Sequence, residues 1–218
     1  VVLRLRKQRE LTILGFGLAL LAAAVYADHR DDTPAFSPTA AGYTGRDINP
    51  IDRLGYTERD ERAGQLADAG LYGGPTLPLL LSLHLRPRQN YPALLLVWLE
   101  TMLLTFALTS LIKNTVSRPR PYVYNDDWQP DRPLARKDRA AFLSGHAANA
   151  TAGATLFAGL LAAYGLDRNK LGRLLAGTIA GTTAFLRVKA GKHWPTDALA
   201  GILLGGGVAG AMLWGHRR

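Results

Sequence analysis

Three short stretches of the chain combine cations, a hydroxyl and imidazoles in patterns that can do chemistry. The first holds Lys113, Arg118 and Arg120, with Pro119 and Pro121 interleaved. Cations set so close together converge on an anion, although Lys and Arg at the end of a helix also serve simply to neutralise its dipole. The second is Ser144, Gly145 and His146. A Ser–Gly pair at a helix N-terminus offers a hydroxyl and backbone N–H groups to an anion; the plainer alternative is an N-cap serine followed by a histidine satisfied within the fold. The third runs from Arg187 through Lys189, Lys192 and His193 to Asp197. His193 and Asp197 are four residues apart, so a helix that starts at Pro195 lets the carboxylate reach back toward the imidazole. A carboxylate that fixes the tautomer of a histidine makes its other nitrogen a nucleophile or a base. The chain has no cysteine, which excludes thiol nucleophiles, disulfides and Cys-ligated metals.

Each stretch lies at the end of an apolar block. Such blocks cover residues 11–27, about 69–85, 92–112, 147–166, 174–186 and 198–215. A transmembrane helix needs roughly 20 mostly apolar residues, with a range of about 17 to 25. Four blocks reach that length. The second contains Pro75 and Pro78, and the fifth is short unless the flanking Arg173 and Arg187 snorkel to the interfaces. Gly and Ala are abundant in the last three, which suits close helix packing in lipid. The expected fold is therefore all-α, a bundle of six transmembrane helices, with the third helix ended by Pro119.

Composition agrees with that division. The chain has 218 residues, 48% of them apolar, and a net charge of +9. A mean hydropathy of only +0.01 averages apolar blocks with densely charged segments between them. The charge would raise nucleic acid as a partner, but its placement between the blocks points to a membrane instead. Arg4, Arg6, Lys7 and Arg9 precede the first block and read as the cytoplasmic flank of an anchor rather than of a cleaved signal. Residues 1–10, 86–91, 167–173 and 216–218 then fall inside, and all three chemical stretches outside. Arg132, Arg136, Lys137 and Arg139, which this places outside, weigh against that orientation. Residues 28–68 are too polar to span and form an extracytoplasmic segment. Within it Thr57 and Asp60 have capping-box spacing with Asp in place of Glu, leading into either an amphipathic surface helix over 59–69 or a solvated loop.

In order and together, the three stretches resemble the type 2 phosphatidic acid phosphatase (PAP2) superfamily, the lipid phosphate phosphatases, which share an active site with vanadium-dependent haloperoxidases. The family pattern K-x6-R-P falls on Lys113, Arg120 and Pro121, P-S-G-H on Ser144, Gly145 and His146, and S-R-x5-H-x3-D on Arg187, His193 and Asp197. Leu143 and Leu186 stand where the family has Pro and Ser. The resemblance covers about residues 70–215. It implies a phosphatase in which His193 attacks phosphorus to give a phosphohistidine, Asp197 holds its ring, and His146 protonates the leaving oxygen and then activates water. Lys113, Arg120, Ser144, Gly145 and Arg187 would bind the phosphate. No metal and no cofactor is implied; Asp126, Asp127 and Asp131 are where a two-metal set would have to be sought.

These expectations describe one domain, with a basic end and first helix over 1–27, the polar segment over 28–68 and the catalytic helical core over 69–218. The expected partners are the bilayer and a phosphorylated lipid: phosphatidic acid, phosphatidylglycerol phosphate, a polyprenyl diphosphate or a lipid A. The expected location is a bacterial inner membrane with the site on its outer face. A haloperoxidase-like oxidoreductase and a non-catalytic lipid-binding relative are the alternatives. Glu100, in the middle of the third block, is expected to face the bundle interior and bond a neighbouring helix. Trp98, Trp128, Trp194 and Trp214 suit an interfacial belt.

Overall fold

The structure, a computed structural model, describes residues 3–30, 48–55, 60–84, 91–124, 135–167 and 170–217. The described residues form seven α-helices and no strand: α1 Lys7–His29, α2 Pro50–Arg53, α3 Glu61–His84, α4 Tyr91–Thr115, α5 Gly145–Ala163, α6 Leu171–Lys189 and α7 Pro195–His216. Each of the six apolar blocks falls largely within one of the six long helices. Thr57, Asp126, Asp127, Trp128, Asp131 and Arg132 lie outside the described residues.

Local chemistry sets the boundaries. The carboxylate of Asp60 accepts the Ala63 N–H at 2.9 Å and so caps α3. The surface helix expected over 59–69 and the second block are thus one continuous helix, which runs through Pro75 and Pro78. Trp98 on α4 donates its indole N–H to the Pro75 carbonyl at 2.8 Å. Ser144 caps α5, and Pro195 occupies the first turn of α7. At the end of α6 Gly191 takes φ 64°, a left-handed conformation that glycine adopts without strain. It turns the chain back so that His193 enters the interior.

The long helices alternate in direction. Asn114 near the end of α4 donates to the Ala24 carbonyl in α1 at 2.7 Å, and Lys189 at the end of α6 pairs with Asp60 at the start of α3 at 3.3 Å. At the opposite end, the Arg4 N–H donates to the carbonyl of His216, the last residue of α7, at 2.9 Å. One end of the bundle therefore gathers the ends of α1, α4 and α6 with the starts of α3, α5 and α7. Helix α5 is the central member and packs against α3, α4, α6 and α7. Its contacts with α7 and α3 include backbone against backbone. A Cβ on Gly205 would collide with the Ala148 carbonyl, and one on Gly74 would lie 2.5 Å from the Ala150 carbonyl oxygen. Small residues make this close approach possible.

Three helices, α1, α4 and α7, are long and apolar enough to cross a membrane by length and composition. The other three have physical reasons to fall short. Helix α5 is mostly enclosed by protein and needs no lipid-facing side chains. Helix α6 carries Arg173, Arg187 and Lys189, and the first turns of α3 are charged. Leu66, Tyr72, Leu83, Leu174 and Phe185 nevertheless point outward from α3 and α6, as Phe16 and Leu203 do from α1 and α7. A continuous apolar exterior of this kind suits lipid rather than water.

Candidate active site

All eight residues that the sequence marks as catalytic or phosphate-binding sit at the gathered end. Three segments build the site. After α4 the chain runs extended, and Arg118 pairs with residues 139–141: its N–H donates to the Arg139 carbonyl at 2.7 Å and its own carbonyl accepts the Ala141 N–H at 3.0 Å. Trp194 donates its indole N–H to the Pro119 carbonyl at 2.9 Å, and the Ser144 N–H donates to the Asp197 carbonyl at 3.0 Å. These crosslinks tie the loops before α5 and α7 to the segment that follows α4.

His193 is fully buried. Its Nδ1 lies 2.7 Å from the Ala141 carbonyl oxygen, which can only accept, so Nδ1 carries the proton and Nε2 presents a lone pair. Nε2 has no hydrogen-bond partner among the described residues. Burial, followed by the charges of Arg120, Lys113 and Arg187, holds the imidazole well below its usual pKa of 6.5, and the Ala141 bond offsets this only in part. The ring is neutral at pH 7, as a nucleophile must be.

Asp197 does not bond the imidazole, contrary to the simplest reading of the four-residue spacing. Its Oδ2 stands 3.9 Å from His193 Nδ1 and accepts the Trp194 N–H at 2.8 Å, while Oδ1 is taken by Arg118. In the first turn of α7 the carboxylate is captured by its own helix terminus. The ring is oriented by the Ala141 carbonyl, and Asp197 acts on it as a nearby negative charge.

Lys113, Arg120 and Arg187 make no ion pair with a carboxylate among the described residues. Arg120 is held by the carbonyls of Lys137 at 2.7 Å and Lys192 at 3.2 Å. Arg187 is buried, with its Nε unbonded. A methyl group on Gly145 would sit 3.5 Å from the Lys113 ammonium, in ordinary contact, which places that cation beside the start of α5. The Ser144 oxygen accepts the Ala147 N–H at 3.4 Å, which leaves its hydroxyl proton free to be donated outward. Both roles open to this serine, cap and anion donor, are therefore compatible. Cations without acidic partners, a helix N-terminus and a lone imidazole nitrogen together form a site for a multiply charged anion.

Two residues of this site, Asp68 and Asp52, escaped the sequence reading, and a third, Arg118, takes partners the sequence did not indicate. His146 Nε2 donates to Asp68 on α3 at 2.9 Å. Arg118, which looked like a helix-end cation, bridges Asp197 and the fully buried Asp52. Asp52 on α2 also accepts the Thr196 N–H at 2.9 Å and the Thr196 hydroxyl at 2.8 Å. Burial would raise its pKa, but these donors and Arg118 outweigh it and hold the carboxyl below its ordinary value. Asp52 and Asp68 lie far along the chain from the motifs, and nothing in their spacing betrays them. Trp194 is another departure, since it is buried in this site rather than placed in an interfacial belt.

The family model of the PAP2 superfamily matches residues 94–218. No curated protein and no solved structure matches the chain.

Proposed function

The chain belongs to the PAP2 superfamily, whose members are generally phosphatases, and from that premise we propose that it is a six-span membrane enzyme that removes phosphate from a lipid through a phosphohistidine. The observation that carries the reading is His193: a neutral imidazole with Nε2 unbonded, ringed by three cations that have no carboxylate partner.

In the first step Nε2 of His193 attacks phosphorus, the P–N bond forms, and the P–O bond to the lipid breaks. The His146 imidazolium gives its proton to the departing oxygen. Before substrate binds, burial and then the Arg187 charge hold this ring near a pKa of about 4, which the bond to Asp68 offsets only in part, so the proton it gives arrives with the substrate's own phosphate. As the His193 ring becomes cationic, Asp197 balances the charge from 3.9 Å away. Water then attacks phosphorus, passes a proton to His146, and the P–N bond breaks to release inorganic phosphate. Charge on the three equatorial oxygens is met by Lys113, Arg120, Arg187, the Ser144 hydroxyl and the Gly145 N–H, so the chemistry is positioning and fixed electrostatics. No step calls for a metal.

A lipid substrate follows from the location of the site at one end of a bundle with an apolar exterior. Phosphate release in mixed micelles, compared across phosphatidic acid, phosphatidylglycerol phosphate, a polyprenyl diphosphate and a phosphorylated lipid A, tests the reading and ranks the substrates. Turnover on at least one, blocked by vanadate, is expected; no release from any of them would refute a lipid phosphatase. Sidedness has its own test. With α1 entering from the cytoplasm, the exposed Lys137 faces outward and the exposed Lys170 inward. Single cysteines at these positions, in a chain with none of its own, should react and not react, respectively, with an impermeant thiol reagent on intact cells. Labelling of both would overturn the six-span topology.

A further inference from the structure

The bundle holds a second buried cluster at the end away from the phosphate site, made by Glu10 of α1, Glu100 of α4 and His216 of α7. All three are enclosed, Glu100 and His216 almost completely. His216 Nδ1 lies 2.7 Å from the Met212 carbonyl oxygen and so carries the proton, which leaves the Nε2 lone pair facing the two carboxylates. Nε2 is 2.9 Å from Glu10 Oε2 and 3.5 Å from Glu100 Oε2.

Three electron pairs pointed at one another repel unless a cation lies among them. A proton shared between His216 and Glu10 would reach Glu100 only at 3.5 Å, and among the described residues neither Glu100 oxygen has a hydrogen-bond partner, while the residue has no exposure to water. Glu10 is held on its outer side, where Oε1 accepts the Arg6 N–H at 2.6 Å and pairs with Arg9 at 2.8 Å; Oε2 accepts a longer bond from Arg9 Nε at 3.3 Å and keeps its shorter approach, 2.9 Å, for His216. The two distances from Nε2 also suit an ion, and all three ligand atoms lie within 4.8 Å of one another. Ligands about 2.1 Å from a metal stand roughly 3.0 to 3.4 Å apart in octahedral or tetrahedral arrangement, and a histidine whose other nitrogen donates to a backbone carbonyl is the usual form of a metal ligand.

We propose that Glu10, Glu100 and His216 bind one divalent transition-metal ion, with zinc the ion of choice for one imidazole and two carboxylates. The ion fastens three helices at the inner end of the bundle. One of them, α1, lies wholly outside the stretch that matches the family, so the site joins the anchor helix to the catalytic core. It takes no part in phosphoryl transfer.

The test uses the full chain, purified in detergent without a histidine tag. Stripped with chelator and titrated with Zn²⁺ against a competing indicator, it should take up about one tightly held equivalent and show a raised melting temperature. Glu100→Gln and His216→Gln should each weaken uptake at least tenfold, the scale on which even supporting residues act. Absence of tight uptake by the stripped wild-type chain would overturn the proposal without reliance on any variant, and would identify the cluster as a proton-sharing network. Uptake retained in both variants would place the ion elsewhere and overturn it equally.

Discussion

The two ends of the bundle each bury a histidine in the same way and surround it with opposite charge. His193 and His216 both give Nδ1 to a backbone carbonyl at 2.7 Å, and both turn Nε2 toward the interior. Around His193 the nearest charges are Arg120, Lys113 and Arg187; around His216 they are Glu10 and Glu100, with Arg9 on the outer side of Glu10. An identical tautomer thus serves two ends. In the roles proposed above, the lone pair among cations is held neutral to attack an electron-poor phosphorus, and the one among carboxylates joins them as a donor to a cation. The residue type fixes neither role, and the sign of the surrounding field decides between them.

The most severe way to break the contrast is to remove the nucleophile. His193→Ala is expected to lower phosphate release by about 10⁴-fold or more, the scale of losing a covalent nucleophile, and to abolish phosphohistidine labelling. Release above that level would assign the attack to another group.

Stripping the field is the next largest change. Lys113→Ala or Arg187→Ala should each cost roughly 10²- to 10³-fold in kcat, as loss of one donor to a transition-state oxyanion does. A rise in KM with kcat intact would instead make these cations ground-state anchors.

Asp68→Asn sharpens the assignment of the acid. It should slow turnover of lipid phosphates roughly 10- to 100-fold through misplacement of His146, yet slow an aryl phosphate with a good leaving group much less, because that group departs without a proton. Equal loss on both substrates would show that Asp68 acts on the fold alone.

The smallest expected effect is on pH dependence. The active form of His193 is the neutral ring, so activity is lost as pH falls through its pKa, and that pKa is held well below 6.5. The acid limb of kcat/KM should accordingly lie below pH 6.5. Arg120→Gln removes the largest of the charges that depress it and should move the limb upward, toward 6.5. A downward move would contradict the electrostatics described.

Much of this site is legible in the sequence, because its motifs are local. Pro119 and Pro195 mark helix ends, Ser144 marks a helix start, and the order of three motifs on alternating helices brings Lys113, His146 and His193 to one end. What is illegible comes from pairings between distant residues. Asp52 reaches Arg118 and Thr196 across 66 and 144 residues, and Asp68 reaches His146 across 78. Polar contacts of that kind have no period and no motif. The same limit hid the partners of Glu100: its interior position follows from the cost of a carboxylate in lipid, whereas Glu10 and His216, near opposite ends of the chain, do not follow from anything nearby. The spacing of His193 and Asp197 misleads for a different reason, since the carboxylate at the start of α7 satisfies its own helix before it serves a neighbour.

The glycine contacts of α5 carry a consequence for how a substrate arrives. Nε2 of His193 is sealed from solvent, so some part of the wall has to give way before phosphorus can reach it. That part is not the junction of α5 with α7 or with α3, where glycines such as Gly205, Gly74 and Gly153 already bring backbone against backbone. These three helices form a fixed frame. The piece left to yield is the loop that carries Lys192, tied to the Arg118–Tyr124 stretch by hydrogen bonds from Arg120 and the Tyr122 N–H to the Lys192 and Gly191 carbonyls, each at 3.2 Å. Admission is then a matter of latches rather than of hinges, and the rate at which such a latch opens sets a ceiling on turnover that no improvement in the chemical step can lift.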